Sequence, residues 1–508
     1  MKLVKNFLIS LAILSACVMS YELLVVGDPG QNNAWARNPF NKSDKKKSGE
    51  IFNKLLATET PATINTVKLD NFERVLAKIK STFGKNKKHL AILGDLAYNE
   101  SKFLPGLSNE AYAVDPKTKV AHDAYKTSGW TGGLLWLDRT KAMLNAVAKI
   151  FDGFTAADSG VDNTQVDIIV GNHQMDTNPE EVNIQKGKLY ETYGSKANTI
   201  WYSPSGVIDY ATAKTQADFL IRYPKVVVTK TVVFIDINMT ILKCGMESNN
   251  VSKFWSLEGT TYAKLNADKK SFDYTVMKGI CENYYKAFQQ ALKDIKAGAA
   301  NATLKAKGYV GPWKVMRSHE SPYNIEGDDS NAQKLVEELV GAGIRVNLAS
   351  HFHVGAVMVK ENIKESSLPV YKQQLDYLKK KESNAVEFGA TGLVKAASKT
   401  LTHKYNLLKD TSNGGAFLQI VIGHSGRFLD PLDVGITTSS KILFARGRTI
   451  DAAADFIEKD KFGFAFVEFE DSGKYVKASF YTDVITEKEP EVVVTINTSD
   501  KKLKRRLK

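Results

Sequence analysis

The chain repeatedly closes a short apolar run on a single acid, amide or imidazole. The runs read "ELLVVGD", "HLAILGD", "VDIIVGNH", "VVFIDIN", "WKVMRSH", "IRVNLASH" and "LQIVIGH". Short continuous apolar runs of this kind, bounded by polar or turn residues, are those of buried strands. Helical spacing fills several of the gaps, with Phe72, Val75, Leu76, Ile79 and Phe83 in one and Leu335 and Leu339 in another. That alternation predicts an α/β fold. Near the end, "FGFAFVEFE" and "VKASFYT" alternate apolar and polar residues as half-exposed antiparallel strands do. The expected core is a layered β-sandwich flanked by helices.

Ligands of open α/β sheets collect at the carboxyl ends of the strands. There the chain places Asp28 in "GDPG", Asp95 and Tyr98 in "GDLAY", Asn172 and His173 in "GNHQ", His319 in "MRSH", and His351 with His353 in "SHFH". Taken singly, each has a structural explanation: a turn for Asp28, a cap for Asn172, a hydrogen-bonded core imidazole for His319. His351 and His353 say more, because alternate residues of an extended segment point to one side. Carboxylate and phenolate oxygens suit Fe(III), and imidazole suits Zn, Fe or Mn. The mixture implies metal, and the number of groups implies two ions.

The ordered set of five motifs resembles the calcineurin-like metallophosphoesterases, and within them the purple acid phosphatases of the small tartrate-resistant type. Gly30 and Tyr98 carry the finer likeness, since most metallophosphoesterases have a ligand His at the first position and lack the Tyr at the second. The resemblance implies a metal site at the carboxyl ends of the strands. Asp28, Asp95, Tyr98 and His353 would hold a ferric ion. Asp95, Asn172, His319 and His351 would hold a second, divalent ion (Fe, Zn or Mn), with Asp95 bridging. His173 would contact the substrate phosphate as the catalytic outer residue. The implied activity is an acid phosphatase that hydrolyses phosphate monoesters with hydroxide held by the two cations. Tyr98, as phenolate, would give a visible absorption band. Two other readings stand beside it: a metallophosphoesterase for phosphodiesters or nucleotides, and a secreted metal-binding protein that has lost turnover.

The chain departs from the family pattern in several places. Ser350 and Phe352 stand in the last motif where Gly and a polar residue are usual. Gln174 replaces an acid and Met316 a Val. The segment "ESPYNIEGDD" after His319 lacks a second outer His and offers Glu326, Asp328 and Asp329 instead. Protonation of the leaving group is the step this affects, and His424 in "IGHSG" is a further candidate for it.

The opening "MKLVKNFLISLAILSACVMS" has Lys2 and Lys5, an apolar stretch and then small residues. This is the layout of a secretory signal over residues 1–20, with an N-terminal anchor or a lipoprotein site at Cys17 as the alternatives. It predicts a secreted protein, or one of the lysosomal or vacuolar lumen. Cys244 and Cys281 would then form one disulfide or remain two buried thiols. Sequons fall at Asn41, Asn99, Asn238, Asn250, Asn301 and Asn497, which makes a glycoprotein possible without arguing for one. The hydrophobic fraction of 43% and charged fraction of 25% are those of a soluble globular body, with no membrane span expected after residue 20.

The expected catalytic domain covers residues 21–485, with polar insertions near 101–130, 245–305 and 355–410, followed by a basic tail over 486–508. The formal charge of +13 is either solvated surface or an attraction for anionic substrates. No nucleic-acid-binding signature accompanies it. The expected partner is a small phosphorylated substrate.

Overall fold

The computed structural model describes residues 20–29, 70–83, 89–95, 147, 166–169, 171, 224–246, 274–322, 330–360, 401–406, 417–426, 441–446, 462–481 and 489–497. Within them lie β1 (Ser20–Val26), α1 (Asp70–Phe83), β2 (His89–Leu93), β3 (Val166–Ile169), β4 (Lys225–Val228), β5 (Val232–Ile237) and α2 (Met239–Met246). There follow α3 (Tyr274–Ala297), α4 (Ala302–Ala306), β6 (Trp313–Ser318), α5 (Ser330–Gly341), β7 (Val346–Ala349) and β8 (Gly355–Lys360). The remainder are strands: β9 (Leu401–Asn406), β10 (Phe417–Ile422), β11 (Lys441–Arg446), β12 (Phe464–Glu470), β13 (Tyr475–Tyr481) and β14 (Val492–Asn497). All seven apolar runs that end on a polar residue are strands, and the two alternating runs are β12 and β13.

Two mixed sheets of seven strands each stack face to face. The first has the order β3-β2-β1-β12-β13-β14-β9 and the second β11-β8-β10-β7-β6-β5-β4. In the first, β1, β2 and β3 run parallel and β1 meets β12 antiparallel. In the second, β5, β6, β7 and β10 run parallel. The period of two along each strand decides what faces the other sheet. Leu23 and Val25 of β1, Ala91 and Leu93 of β2, Phe234 of β5, Val315 of β6, Leu348 of β7 and Ile420 of β10 all enter one inter-sheet core. Their alternates in the second sheet, Val233, Ile235, Ile237 and Met316, face a helical layer.

That layer follows from the helical period. Cys281, Tyr284, Phe288, Leu292 and Ile295 of α3 lie on one stripe, and with Leu335, Val336 and Leu339 of α5 they close over the second sheet. Each such aliphatic or aromatic side chain contributes about 1.5–3 kcal/mol when fully buried. On the opposite side, Phe83 at the end of α1 packs its ring on Phe464, Phe466 and Tyr481 of the first sheet. The result is the expected layered α/β sandwich flanked by helices. A disulfide joins Cys244 of α2 to Cys281 of α3, closing a loop with a separation of 37 residues. On a chain-entropy account such a closure is worth about 4 kcal/mol.

Regular elements fall within three of the stretches set apart in the sequence. The stretch 355–410 begins and ends in framework strands: β8 lies between β10 and β11, and β9 pairs with β14. The region 486–508 is not all tail, because β14 is an inner strand of the first sheet. Its "VVVTIN" is a β-branched run that the basic residues after it obscure. The part of 245–305 from Tyr274 onward is α3 and α4, packed into the core through the helically spaced Phe288, Leu292 and Ile295.

One polar cluster interrupts the inter-sheet core. Arg317 of β6 donates to Asp236 of β5 from Nε at 2.7 Å and from Nη2 at 2.9 Å, and to Asp167 of β3 from Nη1 at 2.5 Å. Its guanidinium also lies 4.3 Å from the ring centroid of Phe234. Burial alone would favour loss of its proton, but the carboxylates of Asp167 and Asp236 more than reverse that. The three side chains tie the two sheets together just below the strand ends. Among the described residues, no helix is long and apolar enough to cross a membrane.

Candidate metal centre

The carboxyl ends of the parallel strands of both sheets meet at one pole of the sandwich. Asp28 follows β1, Asp95 follows β2, His319 follows β6, and His351 and His353 follow β7. Backbone bonds hold these ends together across the sheets. Gly27 N–H donates to Ser425 Oγ at 3.0 Å and Ser425 N–H to the Gly27 carbonyl at 3.1 Å. His351 N–H donates to Asp28 Oδ2 at 2.9 Å. The Asp28, Asp95 and His319 side chains each offer one ligand atom, and these atoms all lie within 4.8 Å of one another.

Two more imidazoles adjoin this trio. His319 Nε2 lies 3.2 Å from Asp95 Oδ2 and 4.0 Å from Asp28 Oδ1, while His353 Nε2 lies 3.7 Å from Asp28 Oδ1. His351 Nδ1 is 3.2 Å from His319 Nε2. Asp28 and Asp95 are fully buried, and His319 and His353 nearly so. Two carboxylates facing three imidazoles make a donor set of hard oxygen and borderline nitrogen, which fits Zn, Fe or Mn. Asp28, Asp95, His319, His351 and His353 thus lie together at this pole. Tyr98, Asn172, His173, Glu326, Asp328 and Asp329 lie outside the described residues, as does Gly30.

The backbone at this pole is unusual. Asp28, Asp95 and His351 have φ of 51°, 49° and 66°, and among the described residues they are the only non-glycine positions with positive φ. Such conformations cost about 1–3 kcal/mol each and concentrate at functional sites. Gly94, at φ 86°, leaves room for the imidazole beside it, since a Cβ there would lie 2.5 Å from His319 Nδ1.

The electrostatics separate the three histidines. Burial would push His319 down, but the Asp95 and Asp28 carboxylates overcome it and raise its pKa to about 9. In the metal-free chain at neutral pH it is therefore an imidazolium, so binding of a cation there must release a proton. Burial pulls His351 down to about 4, against Glu320 and with the help of His319.

The Lys243–Glu320 pair was not anticipated from the sequence. Lys243 Nζ of α2 donates to Glu320 Oε2 at 2.7 Å. Burial would raise the Glu320 carboxyl, but Lys243 and His351 hold it down at about 2. Its position directly after His319 was the one available signal; nothing in the sequence pointed to Lys243. Met316 turns into the helix-facing core, away from the pole. His424, a candidate for leaving-group protonation, is fully buried below it against Phe480. Burial, partly offset by the Tyr481 backbone, lowers its pKa to about 3, so near neutrality it is a neutral imidazole and a poor acid.

Fold and site thus define a mixed α/β protein with a possible Asp/Asp/His metal site at its strand ends. No protein family matches the chain by sequence, and no curated protein does either. Solved structures similar to it include the GAP50 anchor of the inner membrane complex of Plasmodium, at 11% identity and a TM-score of 0.39, over 95% of this chain and 90% of that one. A second is the purple acid phosphatase PPD1 from yellow lupin (Lupinus luteus) seeds, at 10% identity and a TM-score of 0.38, over 94% of this chain and 54% of that one. A third is PhoD, at 10% identity and a TM-score of 0.36, over 91% of this chain and 66% of that one.

Proposed function

We propose that the chain is a metal-dependent hydrolase of phosphate monoesters, of the acid phosphatase type, with a dinuclear centre of Fe(III) and a second divalent ion. The observation that carries this reading is the convergence of Asp28, Asp95, His319, His351 and His353 at one pole, on strained backbone and from both sheets. Asp28, Asp95 and His353, with Tyr98, would hold the ferric ion. Asp95, His319 and His351, with Asn172, would hold the divalent one. When bound, two cations supply Lewis acidity for in-line attack on phosphorus and neutralise the charge that develops there. His173, beside Asn172 in sequence, would contact the substrate phosphate and protonate the departing alcohol. The disulfide between Cys244 and Cys281 supports an oxidising, extracytoplasmic compartment, in keeping with a signal over residues 1–20.

Metal analysis with a visible spectrum, followed by an aryl phosphate assay, tests the proposal. Wild-type protein should carry two ions per chain, at least one of them iron, with a visible band. Asp95→Ala should lose both ions, because it removes the shared bridge. Full metal content in that variant would contradict the ligand assignment, and a colourless oxidised iron-loaded wild type would end the ferric–phenolate reading.

A further inference from the structure

Ser350 occupies the place where the resemblance expects glycine, and its side chain is fully buried. It grips His319 twice. Ser350 N–H donates to the His319 carbonyl at 2.8 Å, and Ser350 Oγ lies 2.8 Å from His319 Nδ1. The same hydroxyl makes a short hydrogen bond to the Leu93 carbonyl, which is itself 2.8 Å from His319 Nδ1. A hydroxyl that donates to a carbonyl keeps its lone pairs for a ring N–H. Leu93 belongs to the first sheet, and Ser350 and His319 to the second. The imidazole therefore sits in a socket of two acceptors built across the sandwich.

That socket assigns the proton. With two oxygens facing Nδ1, the N–H that remains when a cation displaces the other proton belongs there, and Nε2 is left toward Asp95 Oδ2 at 3.2 Å. The surrounding backbone makes room for the arrangement. A Cβ on Gly27 would overlap the Ile422 carbonyl oxygen and Ser350 Cβ, and one on Gly94 would lie 2.5 Å from His319 Nδ1. Glycine at position 350 would leave the ring to the Leu93 carbonyl alone.

We propose that Ser350 is a positioning residue that fixes the tautomer and ring angle of His319 for a divalent cation. This rests on the metal reading of the strand-end site. Partners that orient a ligating histidine from outside the metal shell typically change metal affinity by about 10- to 100-fold when removed.

The experiment is chelator competition with Zn²⁺ alone on the metal-free full-length chain, for wild type, Ser350→Ala and Ser350→Gly, alongside thermal melting without metal. Weakening of one Zn²⁺ site by about 10- to 100-fold in both variants, with metal-free melting close to wild type, is the expected result. Unchanged affinity in a folded variant would overturn the proposal, and so would a lowered melting temperature with unchanged affinity, which is the signature of a merely structural serine. If Ser350→Ala fails to fold, Ser350→Gly is read by the same criteria. A wild-type chain that takes up no Zn²⁺ would instead sink the metal reading, and the proposal with it.

Discussion

Arg317, in β6, and His319, just past its end, meet the same problem, two buried carboxylates, in different ways. Arg317 answers with a permanent charge and three hydrogen bonds of 2.5–2.9 Å to Asp167 and Asp236. His319 faces Asp95 and Asp28 at 3.2 and 4.0 Å, and its proton can be displaced. Around Arg317 no described non-glycine residue has positive φ, whereas at the other cluster Asp28, Asp95 and His351 all do. A cluster that carries its own counter-charge relaxes into ordinary geometry. The strand-end cluster, with no such permanent counter-charge, keeps wider spacings and positive φ at three of its residues.

Arg317→Met should break the first cluster most severely. It strands two buried carboxylates, and loss of one partner of a buried ion pair costs about 3–5 kcal/mol. Urea denaturation measures this, and the folded fraction should still bind metal. A loss well under that range would show that the carboxylates find other compensation, and the contrast with His319 would fade.

Gly94→Ala should be milder in stability and harsher in function. It forces an L-residue to φ 86°, at a cost of about 1–3 kcal/mol, and drives its Cβ against the His319 ring. Metal uptake should therefore fall together with the melting temperature, unlike Arg317→Met. Retained Zn²⁺ affinity would mean that the ring is less constrained than the packing implies.

The smallest effects lie in the pH dependence of the metal-free protein. His319 is raised from its ordinary value of 6.5 to about 9. Its contribution to stability is complete below about pH 6.5 and is lost as pH rises through 9. His424 is lowered to about 3, so its cost is absent above pH 6.5 and grows as pH falls toward 3, because the unfolded chain then binds a proton that the folded one does not. His351, lowered to about 4, adds to the same acid limb. Melting temperature against pH should lose part of its alkaline limb in His319→Gln and part of its acid limb in His424→Leu. Unaltered limbs would remove these side chains as the cause.

Strands that end on a ligand-type residue were legible because their pattern is local: an apolar run, then a polar stop. Asp28, Asp95, His319, His351 and His353 could all be picked out in this way. β9, "LTHKYN", was not legible, since it lacks an apolar run, and β8, "GAVMVK", was absorbed into the polar stretch behind it. β14 lay under the charge pattern of the tail. The contacts that orient the site were also hidden. The Ser350 hydroxyl reaches Leu93 across 257 positions of chain, and no periodicity reports such a meeting. The Asp167–Arg317 pair spans 150 positions and was equally invisible, although "WKVMRSH" was recognised as a strand.

The antiparallel pairing of β1 with β12 puts Ser20 opposite Glu470, and this has a consequence for how the chain is made. Strands β4 to β8, β10 and β11, which complete the second sheet, all leave the ribosome before β12 to β14. Synthesis therefore delivers the strands of the second sheet, with His319, His351 and His353 at their ends, while β1, paired with β2 on one edge, still has its other edge open. Contacts of such long sequence separation form slowly, and an open strand edge is prone to aggregate until they do. The first sheet, whose strands β1 and β2 lead into Asp28 and Asp95, is completed only when β12 to β14 have joined it, so the pole where these carboxylates meet the histidines gains its full support late in synthesis.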